Sequence, residues 1–217
     1  MYSVKEIFYT LQGEGVHSGR PAVFCRFTGC NLWNGKEESR GTSICQFCDT
    51  DFIGTNGQNG GKFRTAQSLV EQIITLWPKS SEPCFVVCTG GEPALQLNQE
   101  LVDTLHDFGC EVAIETNGTL ELPHEIDWVC VSPKKGTKII VQSCDELKVV
   151  YPQNNVNPND YLDIHTKNYF ISPENDPSIF DVKKVSKNPN CLSAVKFCLN
   201  NPLWRISLQT HKFLDIC

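Results

Sequence analysis

Short, uninterrupted apolar runs separated by helix-length amphipathic segments constrain this chain most. Residues 84–88 (Cys-Phe-Val-Val-Cys) and 128–131 (Trp-Val-Cys-Val) lack the alternation of a sheet with one wet face, so both of their faces must be covered. Between such runs, residues 65–77 place Leu69, Ile73 and Trp77 at helical spacing with Val70 and Ile74 beside them, and Pro78 stops the helix. Residues 98–108 repeat the pattern with Leu101, Val102, Leu105 and Phe108 inside and Gly109 as the stop. Further strands are expected at 4–9, 21–27, 111–115, 146–151, 169–171 and 204–208, and a further helix at 190–199. Strands alternating with helices imply a mostly parallel sheet coated by helices, in one α/β domain over residues 1–217. So many strands in so small a domain favour a barrel or partial barrel over an open sheet.

In that architecture chemistry collects at the carboxyl ends of the strands. Polar, glycine-rich words fall there: Thr89-Gly90-Gly91-Glu92-Pro93, Glu115-Thr116-Asn117-Gly118, Ser132-Pro133-Lys134 and Ser172-Pro173-Glu174-Asn175. Turn chemistry accounts for one or two such words; four together point to a site. The net charge of −6 and pI near 5.4 argue against gripping a nucleic-acid backbone. No apolar run approaches the ~18 residues of a membrane span. The opening Met-Tyr-Ser-Val-Lys-Glu is unlike an export signal, so a cytoplasmic protein is expected.

In a reducing compartment, twelve cysteines must be core residues or metal ligands. Cys25, Cys84, Cys88, Cys110 and Cys130 lie in or beside apolar strands and read as core. Cys30, Cys45 and Cys48 stand apart, spaced C-x14-C-x2-C beyond an early strand. The long gap holds the turn pair Asn34-Gly35 and a charged run, 36–40, that reads as a solvated loop. A structural zinc needs four ligands, and neither Cys25 nor His17 has the spacing to be the fourth. Three thiolates suit a 4Fe–4S cluster with one iron left open, where an amino acid can bind through its amino and carboxylate groups. Phe47, before the third cysteine, is placed to pack against a purine-sized group.

These cysteines, with a strand ending in Gly-Gly-Glu-Pro, resemble the radical S-adenosylmethionine (SAM) enzymes. The stretch from Phe8 to Gly15, Cys48-Asp49-Thr50, residues 89–93, Ile114 to Thr119 and Gln209-Thr210-His211-Lys212 together resemble the 7-carboxy-7-deazaguanine synthase family. The resemblance runs from residue 6 to the C-terminus and includes family members with the same long cluster motif. It implies a partial or modified (β/α) barrel of the radical SAM type, with a cluster-binding loop at about residues 28–62.

The implied reaction turns 6-carboxy-5,6,7,8-tetrahydropterin into 7-carboxy-7-deazaguanine, on the route to queuosine and related 7-deazapurines. An electron from the cluster on Cys30, Cys45 and Cys48 cleaves SAM, and the resulting 5′-deoxyadenosyl radical takes hydrogen from carbon 6 before the ring contracts and ammonia leaves. By the same resemblance Phe47, Cys48, Asp49, Gly91, Ser132, Pro133 and Lys134 contact SAM, as do Ser172, Pro173, Glu174 and Asn175 at a later strand end. Thr50 is implied as a magnesium (Mg2+) ligand, and Gln12, Gly13, Glu14, Arg26 and Thr89 as substrate contacts. Arg26 stands in an otherwise apolar strand, so it either pairs with a protein carboxylate or binds the substrate's. The terminal carboxylate on Cys217 is implied as a further substrate contact, and Phe213, Leu214 and Ile216 favour a docked tail. An electron donor such as flavodoxin or ferredoxin and a homodimeric assembly complete the implied partners. Two alternatives stay open: another radical SAM reaction such as a protein activase, which has no use for Gln12, Glu14 and Arg26, and a zinc- or thiol-rich binding module without catalysis.

Alanine at Cys30, Cys45 or Cys48 is expected to abolish SAM cleavage, whereas Cys84→Ala or Cys130→Ala costs only packing, about 1 kcal/mol. Anaerobic assay of 5′-deoxyadenosine, beside a thermal melt, checks both; turnover retained in Cys45→Ala removes the cluster assignment.

Overall fold

The computed structural model describes residues 1–174 and 188–216. Its centre is one nine-stranded sheet in the order β3-β1-β2-β4-β5-β6-β7-β8-β9. The strands are β1 (Tyr2–Leu11), β2 (Pro21–Phe27), β3 (Gly61–Phe63), β4 (Cys84–Gly90), β5 (Cys110–Thr116), β6 (Trp128–Val131), β7 (Glu146–Tyr151), β8 (Tyr169–Pro173) and β9 (Trp204–Ile206). β1 runs antiparallel to both β2 and β3; every pairing from β2 to β9 is parallel. β3 and β9 are free edges, so the sheet does not close, as expected of a partial barrel.

Helices α1 (Ala66–Ile74) and α2 (Gln99–Asp107) cover one face of the first half. Their Leu69, Ile73, Leu101 and Leu105 pack on Ile7, Val23, Val86 and Ile114, all at most 1% exposed. Side chains of this size contribute roughly 1.5–3 kcal/mol each when fully buried. Cys25, Cys84, Cys88 and Cys110 lie in the same cluster and Cys130 is also buried, as expected of core residues. Helix α3 (Pro189–Asn200) covers the second half, where Ala194 meets Leu147, Val149, Ile171 and Trp204.

Local chemistry sets the helix ends. Thr65 and Ser68 form a reciprocal capping box at the start of α1. The helix ends at Ile74 rather than residue 77, because Leu76 and Trp77 bond back only three residues, to Ile73 and Ile74, before Pro78. Asn98 caps α2, and Gly109 at φ +72° ends it in the left-handed region. Phe108, expected inside, is 40% exposed because it follows the last helical turn. β3 and helix α4 (Thr210–Leu214) were not expected, and β9 stops at Ile206 rather than residue 208.

The polar words do fall at strand ends, and Glu92 ties two of them together. Its carboxylate, inaccessible to solvent, accepts from Thr116 Oγ1 at 2.7 Å, the Asn117 amide at 2.7 Å and the Ala94 amide at 2.9 Å. Asn117 Nδ2 then donates to Asn31 Oδ1 at 2.9 Å, linking the end of β5 to the loop after β2. Glu92→Ala strands these donors in a dry interior at about 1–3 kcal/mol each. We expect it to lower unfolding free energy by at least about 3 kcal/mol, read by denaturant titration; a change within 0.5 kcal/mol, the size expected of a plain surface substitution, contradicts this role.

Candidate active site

A cavity of about 1000 Å³ opens where the loop after β1, the loop after β2 and helix α4 converge. Gln12, Gly13, Glu14, Arg26, Phe47, Cys48, Asp49, Thr50, Thr89 and Glu174 line it. Ten of the sequence-identified residues therefore share one chamber. Cys30, Cys45, Gly91, Ser132, Pro133, Lys134, Ser172 and Pro173 are not part of its lining. Asn175 and Cys217 lie outside the described residues.

One wall is the cysteine loop. Cys45 is 6% exposed and its thiol hydrogen-bonds to Cys48. That bond is the main reason the Cys48 thiol is pulled down to about 6, while the same bond pushes Cys45 up. Burial raises Cys30, against which the Leu32 amide donates to Sγ at 3.4 Å. Lys134 faces Cys45 and Cys48, with its ammonium 5.8 Å from the centre of the Phe47 ring and bonded to Ser132 Oγ at 2.6 Å. Thiols from one loop, met by an amide and an ammonium, form a donor set suited to a bound iron–sulfur cluster. Gly91 is required here, because an added Cβ would collide with the Gly29 carbonyl and with Cys30 Cβ.

The charged run in the long cysteine gap is more than a solvated loop. It forms a 3₁₀ turn, Glu37–Thr42, from which Arg40 reaches back to the carbonyls of Gln46 at 3.1 Å and Cys48 at 3.0 Å. Arg40 also stacks over Trp33 at 4.1 Å and pairs with Glu37. Trp33 meets the buried Phe52 edge-on at 5.6 Å, so the insertion packs on the segment it must hold. Lys5 fixes the far side, donating to the Ile53 carbonyl at 2.9 Å and pairing with Asp51 at 2.8 Å.

The opposite wall is a charge network. Lys148 on β7 is 5% exposed, and its ammonium lies 2.7 Å from Glu14 and 2.8 Å from Glu115. Gln12 Nε2 donates to Glu115 at 3.2 Å and Gln209 Nε2 to Glu14 at 2.8 Å. Burial pushes Glu14 up, yet Lys148, Gln209 and His211 outweigh it and hold the carboxyl at about 2. Of the two contacts left open for Arg26, the structure makes the one to a protein carboxylate, its Nε donating to Glu6 at 2.8 Å, and the side chain also lines the cavity.

Helix α4 closes this side. Thr210 bonds the Gly13 carbonyl from both its amide and its hydroxyl at 2.9 Å, and His211 lies so close that any Cβ at Gly13 would strike it. Because α4 turns His211 and Lys212 toward the cavity, Leu214 falls on the other side and is 60% exposed. Ile216 is 38% exposed and Phe213 half-buried, so of the three apolar residues expected to dock the tail, Leu214 and Ile216 are exposed.

Sequence reasoning missed Lys148 as a cavity residue, and gave no individual role to Glu115, His211 and Lys212 although they stand in words it had marked; all four line the cavity. Lys148 carried the signal that had singled out Arg26, a charge inside an apolar strand. Among the described residues, no three His, Cys, Asp or Glu side chains are gathered closely enough to hold a single metal ion. Cys25 lies in the core, and His17 packs on Trp128 and Phe85.

No family model matches the chain. It is 53% identical over 215 residues to the 7-carboxy-7-deazaguanine synthase of Burkholderia multivorans, covering 99% of both chains. With the enzyme of that name from Nitratidesulfovibrio vulgaris it shares 50% identity over 218 residues, again covering 99% of both. Among solved structures, QueE from Escherichia coli has the same fold, with a TM-score of 0.68 at 24% identity over 97% of this chain and 94% of that one.

Proposed function

The chain belongs to the 7-carboxy-7-deazaguanine synthase family, and on that premise we propose that it converts 6-carboxy-5,6,7,8-tetrahydropterin to 7-carboxy-7-deazaguanine with loss of ammonia, as a radical SAM lyase of 7-deazapurine (queuosine) biosynthesis. One observation carries the reading: a single cavity joins the cysteine loop to a wall of hydrogen-bonding carboxylates and amides. A protein activase has no use for the second wall.

When bound, a 4Fe–4S cluster and SAM supply the one-electron chemistry that removes hydrogen from carbon 6 of the substrate. In this reading the loop at about 28–62 holds the cluster through Cys30, Cys45 and Cys48. Phe47, Cys48, Asp49, Gly91, residues 132–134 and residues 172–175 hold SAM. The aromatic face of Phe47 suits an adenine ring. Lys134, whose ammonium already contacts the Ser132 hydroxyl, suits a carboxylate. Gln12, Glu14 and Thr89 face the pterin, and Glu14, ionised well below neutral pH, accepts from its amino-pyrimidine N–H groups. Arg26 retains donors for the substrate carboxylate beyond the Nε it gives to Glu6.

Thr50 lines the cavity beside the cysteine loop and is assigned to Mg2+, whose remaining positions go to water and the substrate carboxylate. The electron comes from a carrier such as flavodoxin or ferredoxin. Every described cysteine is free, which suits a reducing cytoplasm, and no helix among the described residues is long and apolar enough to cross a membrane. The exposed Leu192, Val195 and Leu199 of α3 give a homodimer an apolar face to use.

Anaerobically reconstituted enzyme given carboxytetrahydropterin, SAM, Mg2+ and a reductant is expected to form the deazaguanine, identified by mass; reconstituted cluster without that product overturns the reading. In the same assay Thr50→Val, which keeps shape and loses the oxygen, should blunt the response to Mg2+ while uncoupled SAM cleavage persists. An unchanged Mg2+ response takes Thr50 out of the metal site.

A further inference from the structure

Glu146 and Lys148, two residues apart on β7, point to the same face of the sheet, and the loop after β1 hangs from both. Glu146 Oε2 accepts the Val16 amide at 2.9 Å and fills the space a Cβ on Gly15 would need; Gly15 stands at φ +67°. Lys148 takes the next part of the loop by its side chain, at Glu14, and bridges to Glu115 on β5. The ammonium thus joins two carboxylates that both line the cavity. We propose that Lys148 is a positioning residue for the substrate, holding the Glu14 and Glu115 carboxylates turned so that together they accept the pterin's amino-pyrimidine N–H donors. The inference rests on the function proposed above.

The groups facing Lys148 decide what its removal does. Glu14 comes from the loop after β1, Glu115 from β5, Glu146 from β7, Cys130 from β6 and Lys134 from just beyond β6. His211 of α4 faces Glu14. Burial opposes the charge on Lys148, but the facing carboxylates outweigh it and keep the ammonium protonated. Burial raises both Glu146 and the Cys130 thiol, and Glu146 already accepts the Val16 amide, so the short ion-pair contacts of Lys148 run to Glu14 and Glu115. Without the ammonium, two partly buried carboxylates that shared one cation face each other across its place, and like charges so placed retain a proton between them. A carboxyl that keeps its proton donates where the substrate needs an acceptor.

Lys148→Met keeps the stem and removes the charge. In reconstituted enzyme with SAM bound, it should weaken the dissociation constant for carboxytetrahydropterin by at least about tenfold at neutral pH, while SAM affinity holds. Relative to wild type, affinity should then recover by up to about tenfold per pH unit as pH rises, because one proton must leave for each substrate bound. Lys148→Arg, which keeps the charge, should restore the wild-type slope. Infrared spectra test the same claim without substrate: Lys148→Met should show, in the difference spectrum against wild type at neutral pH, an added protonated carboxylic-acid band. If Lys148→Met does not fold, Lys148→Gln, which keeps a hydrogen-bond donor and loses the charge while both carboxylates remain, should show the same band and slope. A folded variant with wild-type affinity, a parallel pH profile and no new band overturns the role of Lys148. Wild-type enzyme that binds no pterin while the variant shows the band leaves the ionisation role standing and sinks the proposed substrate instead.

Discussion

A lysine ammonium that is 5% exposed has to be neutralised where it lies, and one half of this molecule's site is arranged to do that. Lys148 reaches the surface of a parallel sheet from a strand whose one other charged residue, Glu146, is engaged with the Val16 amide, so its ion-pair partners come from neighbouring elements. Glu115 arrives two strands away in the sheet order, and Glu14 arrives on a connection from the antiparallel start of the chain. Meeting that requirement brings β1, β5 and β7 to one point. Glu146 then fixes the backbone of the same connection, and Gly15 is the residue that allows it. The polar wall of the cavity follows from electrostatic satisfaction as much as from packing.

The other half depends on Glu92 and on the long cysteine gap. Glu92 locks the end of β4 to the end of β5, and Asn117 carries the tie on to Asn31 beside Cys30. Across the loop, Arg40 bonds the carbonyls of Gln46 and Cys48, so fourteen intervening residues brace the segment that carries Cys45 and Cys48 instead of loosening it. Cys30 is thereby seated against Gly91, and Cys45 against Cys48. The two halves meet across the cavity, where Asp49 of the loop pairs with Lys212 of α4 at 2.7 Å.

The parallel core was legible in the sequence because its strands are continuous apolar runs and its helices carry strong stops at Pro78 and Gly109. β3 was not, since Gly-Lys-Phe carries no alternation and exists only because β1 offers it an edge. Helix α4 was hidden for a similar reason: one turn has no periodicity to read, and it is held by Gly13 from far along the chain. The cysteine loop was readable from spacing, whereas the role of Arg40 needed three dimensions. Lys148 was visible by the argument applied to Arg26, but its partners lie more than thirty residues away and no local pattern names them. The exposed Leu214 and Ile216 show the limit of reading burial from composition where a short helix decides which side faces in.

The central claim is that this cavity seats carbon 6 of a carboxypterin beside the SAM that the cysteine loop holds. Substrate deuterated at carbon 6 tests it most directly. Mass spectrometry of the nucleoside released during anaerobic turnover should find the deuterium in 5′-deoxyadenosine, in step with formation of the deazaguanine. Deazaguanine formed beside unlabelled 5′-deoxyadenosine would contradict the account.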